Sequence, residues 1–364
     1  MNPELTFELL VVADGFVPTY TRKRVDPHSG VVAIVLRPHD LDQRVPALIV
    51  RGRVQDEAGQ PVERAIVELY GFQKGNTGMY GRLEGIDPLA VTNSEGEFRI
   101  GVSEKGVALH VKVSARYFAP KIFSGLLSGR KTHELKLQPG VTITGTVTKD
   151  SQPLPGVAVG LVQQNRNTTS FVGDFKIAAN ERGEFAFLNV PSRESYFVYG
   201  LMESLHEQGG ISAVPLRVEA DGKTIDVGTL TVQPACRLSG QVLLSDGTAV
   251  PPGTRVLISR EQAWDSQVAV VAEDGGFAFR GLPKEHYTLA VNVRGYHVSP
   301  KNESADLVNG LGLVGAVTGD IEGFRLLLEP GPRQAPDLRR IDFKEYQRRK
   351  DNPLRGAPQP GDGK

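Results

Sequence analysis

Apolar residues fall on every second position through Leu109-His110-Val111-Lys112-Val113 and again through Tyr287-Thr288-Leu289-Ala290-Val291-Asn292-Val293. That spacing puts one face of a strand in a core and the other in water. Clusters of Gly, Pro, Asn and Asp break these runs at short intervals, as tight turns between short strands require. Helical spacing of useful length is almost absent. Several short alternating strands in each stretch of about ninety residues predict an all-β chain of antiparallel Greek-key sandwiches.

The pattern is written three times. A Gly-x-Val strand opens at Gly52-Arg53-Val54, Gly145-Thr146-Val147 and Gly240-Gln241-Val242, and a Gly-Phe hairpin follows at Gly96-Glu97-Phe98, Gly183-Glu184-Phe185 and Gly275-Gly276-Phe277. The openings lie 93 and 95 residues apart, a domain-sized period. After its long strand each unit has a Gly, Tyr or Phe element and a closing strand, which ends at Gly140, Ala235 and Gly331. The predicted division is therefore residues 47–140, 141–235 and 236–331 as three β-sandwich repeats, joined by short linkers in a restricted, rod-like order. Residues 1–46 match only the closing half of a unit, with 32–36 as its closing strand. Half a sandwich leaves open strand edges, so the chain is expected to be the C-terminal part of a longer polypeptide or to start at an internal Met. The alternative is that residues 5–36 dock on the first full unit as extra strands. Residues 332–364 form a basic tail with a short helix from Asp342 to Lys350, the remainder reading as disordered.

Charge narrows the partners. Lys plus Arg and Asp plus Glu are both 42, a net charge of zero, which provides no general field for nucleic acid or an anionic membrane. The single cysteine, Cys236, excludes an internal disulfide framework and reads as a buried, inert thiol. The N-terminus has neither the basic start nor the apolar length of a signal peptide, and no run approaches the ~20 apolar residues of a membrane span.

The string Gly52-Arg53-Val54, Gly59-Gln60-Pro61-Val62, Ala65-Ile66-Val67-Glu68-Leu69 and Thr92-Asn93-Ser94-Glu95-Gly96-Glu97-Phe98 resembles the carboxypeptidase regulatory-like domain family. The likeness recurs at Pro155-Gly156-Val157-Ala158-Val159 and more loosely at Pro251-Pro252-Gly253-Thr254-Arg255-Val256, and covers residues 47–331. It implies transthyretin-like (prealbumin-like) seven-stranded sandwiches, related to starch-binding-like folds. It also implies an accessory role beside peptidases, transporters, receptors or surface proteins, and an extracytoplasmic location in an exported bacterial multidomain protein.

Enzyme motifs are missing. None of the seven histidines begins a His-x-x-Glu or His-Glu-x-x-His ligand pair, and no nucleophile elbow or P-loop occurs. No catalytic residue, metal or cofactor is expected. Gly310-Leu311-Gly312-Leu313-Val314-Gly315 matches the dinucleotide fingerprint by letters, but it lies in an antiparallel unit and reads as a flexible glycine loop. The candidate ligand residues lie in corresponding loops after each Val-rich strand: Tyr80 and Arg82, Asn165 and Arg166, Trp264 and Asp265. An aromatic ring among amides, Arg and Asp suits a polysaccharide or peptide; alternatively Tyr80 and Trp264 cap their own core or pack on the next unit. The expected function is a non-enzymatic array that spaces or presents a neighbouring module. The alternatives are a carbohydrate- or peptide-binding module, or the accessory part of a peptidase.

Overall fold

The computed structural model describes residues 9–13, 15–20, 31–81, 83–167, 170–304, 312–332 and 351–358. They form three successive β-sandwiches, so the chain is all-β with tandem Greek-key units. In the first, Ile49–Gln55 lies between Thr132–Lys136 and Glu97–Gly101; the facing sheet is centred on Ile66–Lys74 and Ala108–Ser114, with Lys121–Leu127 at one edge and Thr77–Tyr80 and Leu89–Val91 at the other. In the second, Val141–Lys149 lies between Glu184–Val190 and Thr224–Thr231, opposite Asp174–Ala178, Ala158–Gln163, Glu194–Gly200 and Val214–Val218. The third repeats the plan with Gly276–Leu282, Cys236–Leu244 and Ile321–Pro330 facing Ser266–Val270, Arg255–Arg260, His286–Val291 and Gly312–Ala316. Each sandwich encloses its own apolar core, in which strand alternation puts Val50, Val54 and Val111, then Ile143, Val147 and Val198, then Leu238, Val242 and Leu289. Cys236 is buried in the last of these, and burial raises its thiol pKa.

One sheet of each sandwich is mixed, while the facing sheet is purely antiparallel. The opening and closing strands of every unit pair in parallel: Ile49–Gln55 with Thr132–Lys136, Val141–Lys149 with Thr224–Thr231, and Cys236–Leu244 with Ile321–Pro330. Between those strands the chain has crossed to the other sheet and back, so the hairpin geometry that enforces antiparallel neighbours does not link them.

The repeated letters face one another. Gly52 pairs with Phe98, Gly145 with Phe185 and Gly240 with Phe277 across the opening pair of strands. A Cβ on Gly52 or Gly145 would overlap the Phe98 or Phe185 ring, and one on Gly240 would overlap the backbone of Phe324. Beside each glycine, the valine donates its N–H to the hairpin glycine: Val54 to Gly96 at 2.8 Å, Val147 to Gly183 at 2.7 Å and Val242 to Gly275 at 2.8 Å.

Both ends of the chain depart from the sequence reading. Leu10–Val11 and Thr19–Tyr20 form a separate two-stranded sheet rather than extra strands of the first sandwich, and 32–36 is not a strand. A closing strand pairs with the opening strand of its own unit, and the described residues ahead of it contain none. This segment instead docks through Leu41, buried against Gly101, with Asp42 on Arg99 and His39 3.3 Å from Asp87. At the other end, residues 351–358 are seated rather than loose. Leu354 is 2% exposed in the third core, its N–H donates to Ala316 (2.8 Å), and Ala357 donates to Arg325 (2.8 Å). The proposed helix from Asp342 to Lys350 lies outside the described residues. Gly312 to Gly315 belong to a buried strand and not to a loop, because the missing side chains admit the Leu289 carbonyl and the Leu354 backbone; Gly310 and Leu311 lie outside the described residues.

Candidate functional site

Strand Arg255–Arg260 turns Val256, Ile258 and Arg260 to the same inner face. A charge therefore arrives where the alternation calls for an apolar side chain. It lands at the junction of the second and third sandwiches with its side chain 0% exposed. Arg260 Nε and Nη2 donate to the two carboxylate oxygens of Glu285, both at 2.8 Å. Nη1 donates to the Gly200 carbonyl (2.8 Å) and Nη2 to the Ile211 carbonyl (3.0 Å), both in the second sandwich. Asp265 Oδ2 lies 3.3 Å from Nη1 and accepts the Met202 N–H at 2.9 Å, while Glu285 accepts the Ala213 N–H. The Tyr199 ring lies 5.4 Å from the guanidinium, and the Tyr199 hydroxyl donates to the Trp264 carbonyl at 3.3 Å.

Burial opposes the Arg260 charge, but the hydrogen bonds and charge of Glu285 outweigh it and leave the pKa raised. Burial likewise raises the Asp265 carboxyl, against the pull of the Met202 N–H and Arg260. Met202, carried on the one-turn helix Met202–Leu205, completes the link by entering the core of the third sandwich.

A row of rings runs across the loops. His110 stacks on Tyr80 (6.0 Å), Tyr80 meets Tyr70 edge-on (5.6 Å), the Tyr70 hydroxyl reaches the Phe171 carbonyl (3.5 Å), and Phe171 packs on Trp264 (5.3 Å). The Arg166 guanidinium lies 5.3 Å from the Trp264 ring, and burial lowers its pKa. The corresponding segments of the second and third repeats thus touch through Phe171, Arg166 and Trp264, while the first meets them through Tyr70 on strand Ile66–Lys74.

Of the residues singled out in the sequence, the structure brings Arg166, Trp264 and Asp265 together at the second joint. Asn165 shapes its own loop by accepting the Asn167 N–H at 3.1 Å. Tyr80 ends the strand Thr77–Tyr80 of the first sandwich rather than lying in a loop, and among the described residues it connects to the second through Tyr70 and Phe171. Arg82 lies outside the described residues. Sequence reasoning missed Arg260, Glu285, Tyr199, Phe171 and Met202. Arg260 carried a readable signal, a charge on the apolar face of a strand. Glu285 and Met202 carried none, since their roles exist only where two sandwiches meet.

The clamp suits cohesion rather than chemistry. The Arg260 donors are engaged by Glu285, Asp265 and two carbonyls, leaving its charge no opening toward a substrate. Among the described residues no group of three or more His, Cys, Asp or Glu is arranged to hold a metal, and no helix is long and apolar enough to cross a membrane.

No family model and no curated protein matches the chain. Among solved structures, a Streptococcal ancillary pilin aligns at 11% identity over 78% of this chain and all of its own length (100%), with a TM-score of 0.27. The minor pilin of Streptococcus agalactiae aligns at 12% identity over 55% of this chain and 99% of its own, also at 0.27. The Bacillus anthracis TIE protein aligns at 14% identity over 78% of this chain with a TM-score of 0.22, and the chain spans 50% of that protein's length. Superposition at this level assigns neither a family nor a role.

Proposed function

We propose that the chain is a non-enzymatic, structural array of carboxypeptidase regulatory-like sandwiches, divided at 47–140, 141–235 and 236–331, that spaces or presents a neighbouring module of an exported protein. The observation that carries this reading is the Arg260 clamp, in which a fully buried guanidinium of the third sandwich is satisfied by two carbonyls of the second. Such a group is costly unless every partner is in place, so it favours a single relative placement of the two units. A spacer needs that property and a flexible string of domains lacks it.

Calorimetry of the whole chain tests this. The second and third sandwiches are expected to unfold in one cooperative transition, which Arg260→Ala splits in two. Separate transitions already present in the unmodified chain would defeat the reading.

A second reading, binding of a polysaccharide or peptide, is favoured by the ring row: Tyr80 is 53% and Trp264 47% exposed, and His110 Nδ1 and Arg166 Nε are buried without hydrogen-bond partners. Affinity electrophoresis in gels containing soluble polysaccharides tests it, with retardation lost in Trp264→Ala.

A further inference from the structure

Residues 351–358 thread the open edge of the third sandwich, between its two sheets. On one side Pro353 bridges Ala316 of the facing sheet, and the Ala316 N–H donates to the Asn352 carbonyl at 2.8 Å. On the other side lie Arg325 of the closing strand and the loop that carries Glu303 and Ser304. There the Glu303 N–H donates to the Gly356 carbonyl (3.2 Å), the Ser304 N–H to the Arg355 carbonyl (3.0 Å), and the Arg355 N–H to Ser304 Oγ (2.7 Å).

The walls of this groove are fixed by bonds that do not involve the segment it holds. Asn302, 6% exposed, pins the loop to the closing strand: its Nδ2 donates to the Ser299 and Leu327 carbonyls (2.7 and 2.9 Å), and its Oδ1 accepts the Leu327 N–H (3.1 Å). The opposite wall, Gly312–Ala316, is held by its ladder with His286–Val291. Walls placed in advance lower the cost of binding. This edge is also unlike its counterparts. Lys121–Leu127 exposes Lys121, Ser124 and Leu127, and Val214–Val218 exposes Val214, Pro215 and Arg217, whereas all five residues of Gly312–Ala316 are buried. A Cβ on Gly315 would lie 2.7 Å from the Leu354 Cα, so the strand is shaped for a chain laid against it.

The segment is recognised residue by residue. Leu354 enters the third core, Arg355 lies 3.4 Å from Glu303, and Asp351 lies 3.4 Å from His286. Gly356 admits no larger residue, since a Cβ there would lie 2.2 Å from the Arg325 carbonyl oxygen. All these contacts are made by residues 351–358 themselves. In sequence they join the closing strand through residues 333–350, a length of chain that spans up to about 60 Å when extended. The contacts are therefore the same whether the segment comes from its own chain or from another.

We propose that this groove is a peptide-binding site that takes residues 351–358 of a second copy of the chain. Seating in both directions closes a dimer joined at the third sandwiches. The tethered segment competes at an effective concentration of about a millimolar, so exchange gains ground where chains are concentrated or held side by side.

Two full-length variants, each keeping one half of the contact, test the proposal. Leu354→Ala weakens the segment and leaves the groove, while Gly315→Val fills the groove and leaves the segment. By sedimentation velocity the mixed pair is expected to associate at least about thirtyfold more tightly than either variant alone. Fluorescein-labelled peptide of residues 351–358 should bind the Leu354→Ala chain and not the Gly315→Val chain. Circular dichroism checks both folds, and the milder Leu354→Val and Gly315→Ala replace a variant that unfolds. A mixture no heavier than its parts at the highest soluble concentration, or a peptide that binds both variants equally, would overturn the proposal.

Discussion

Gly52 and Gly240 are alike in sequence but differ in what fills the place of the absent side chain. At Gly52 it is chiefly the Phe98 ring, and at Gly240 the backbone of Phe324. A ring can tilt, whereas a paired strand cannot move without breaking its ladder. Gly52→Ala is therefore expected to cost about 1–3 kcal/mol and Gly240→Ala more, as read from urea unfolding. Equal costs would show that the Phe324 backbone yields as readily as the ring. These glycines and phenylalanines were legible as a repeat because both partners of each contact recur at a fixed spacing. Tyrosines make a second residue-scale test. Tyr196, Tyr199 and Tyr287 are fully buried, and desolvation raises the pKa of each. The folded value lies above the unfolded one of about 10, so their contribution to stability is complete below that pH and is lost as pH rises from there through the raised folded value. Of the nine tyrosines, these three should form phenolate only as the circular dichroism signal collapses. Ordinary titration in the folded chain would contradict their burial.

Among the elements, those with strong alternation appear where the pattern places them. Ala108–Ser114 alternates half-buried and buried positions, and His286–Val291 does the same. The elements that escaped are those whose pairing is non-local. The parallel contact of opening and closing strands joins residues about eighty apart, as in Gly52 opposite His133, and nothing in either segment alone specifies it. The seated tail escaped for a related reason. Leu354 is a lone apolar residue among Asn, Pro, Arg and Gly, and its burial depends on Gly315 and Gly356, which leave room for close backbone contact. Leu354→Ala should destabilise the third sandwich by about 2–5 kcal/mol and leave the first unchanged. Hydrogen exchange resolved by peptide would show faster exchange in Gly312–Ala316 and Ile321–Pro330. Unaltered protection there would mean that the tail is not part of the core.

At the scale of the whole molecule the two described joints differ. Between the second and third sandwiches lie the Arg260 clamp, the Met202 insertion, a small core of Val162, Tyr199 and Ala263, and the Glu207 to Arg280 ion pair. Between the first and second, the described contacts centre on Tyr70 with Phe171 and on Gly140 with Tyr117 and Asn189. The sequence reading anticipates units in series and leaves open whether Tyr80 and Trp264 meet a ligand, cap their own core or pack on the next unit, because alternation within a strand reports which face is apolar and not which neighbour meets it. Arg260→Ala removes one partner from a buried network and should cost about 3–5 kcal/mol, whereas replacing Arg260 and Glu285 together by Met and Leu should cost much less.

The most direct test of the fixed joint is a distance distribution between spin labels on Arg182→Cys and Glu273→Cys, two exposed hairpin positions in the second and third sandwiches. Cys236 is buried and inaccessible to the reagent. One narrow distance, broadening when Arg260→Ala is added, is the result predicted. A broad distribution in the otherwise unmodified chain would contradict the array as a rigid spacer.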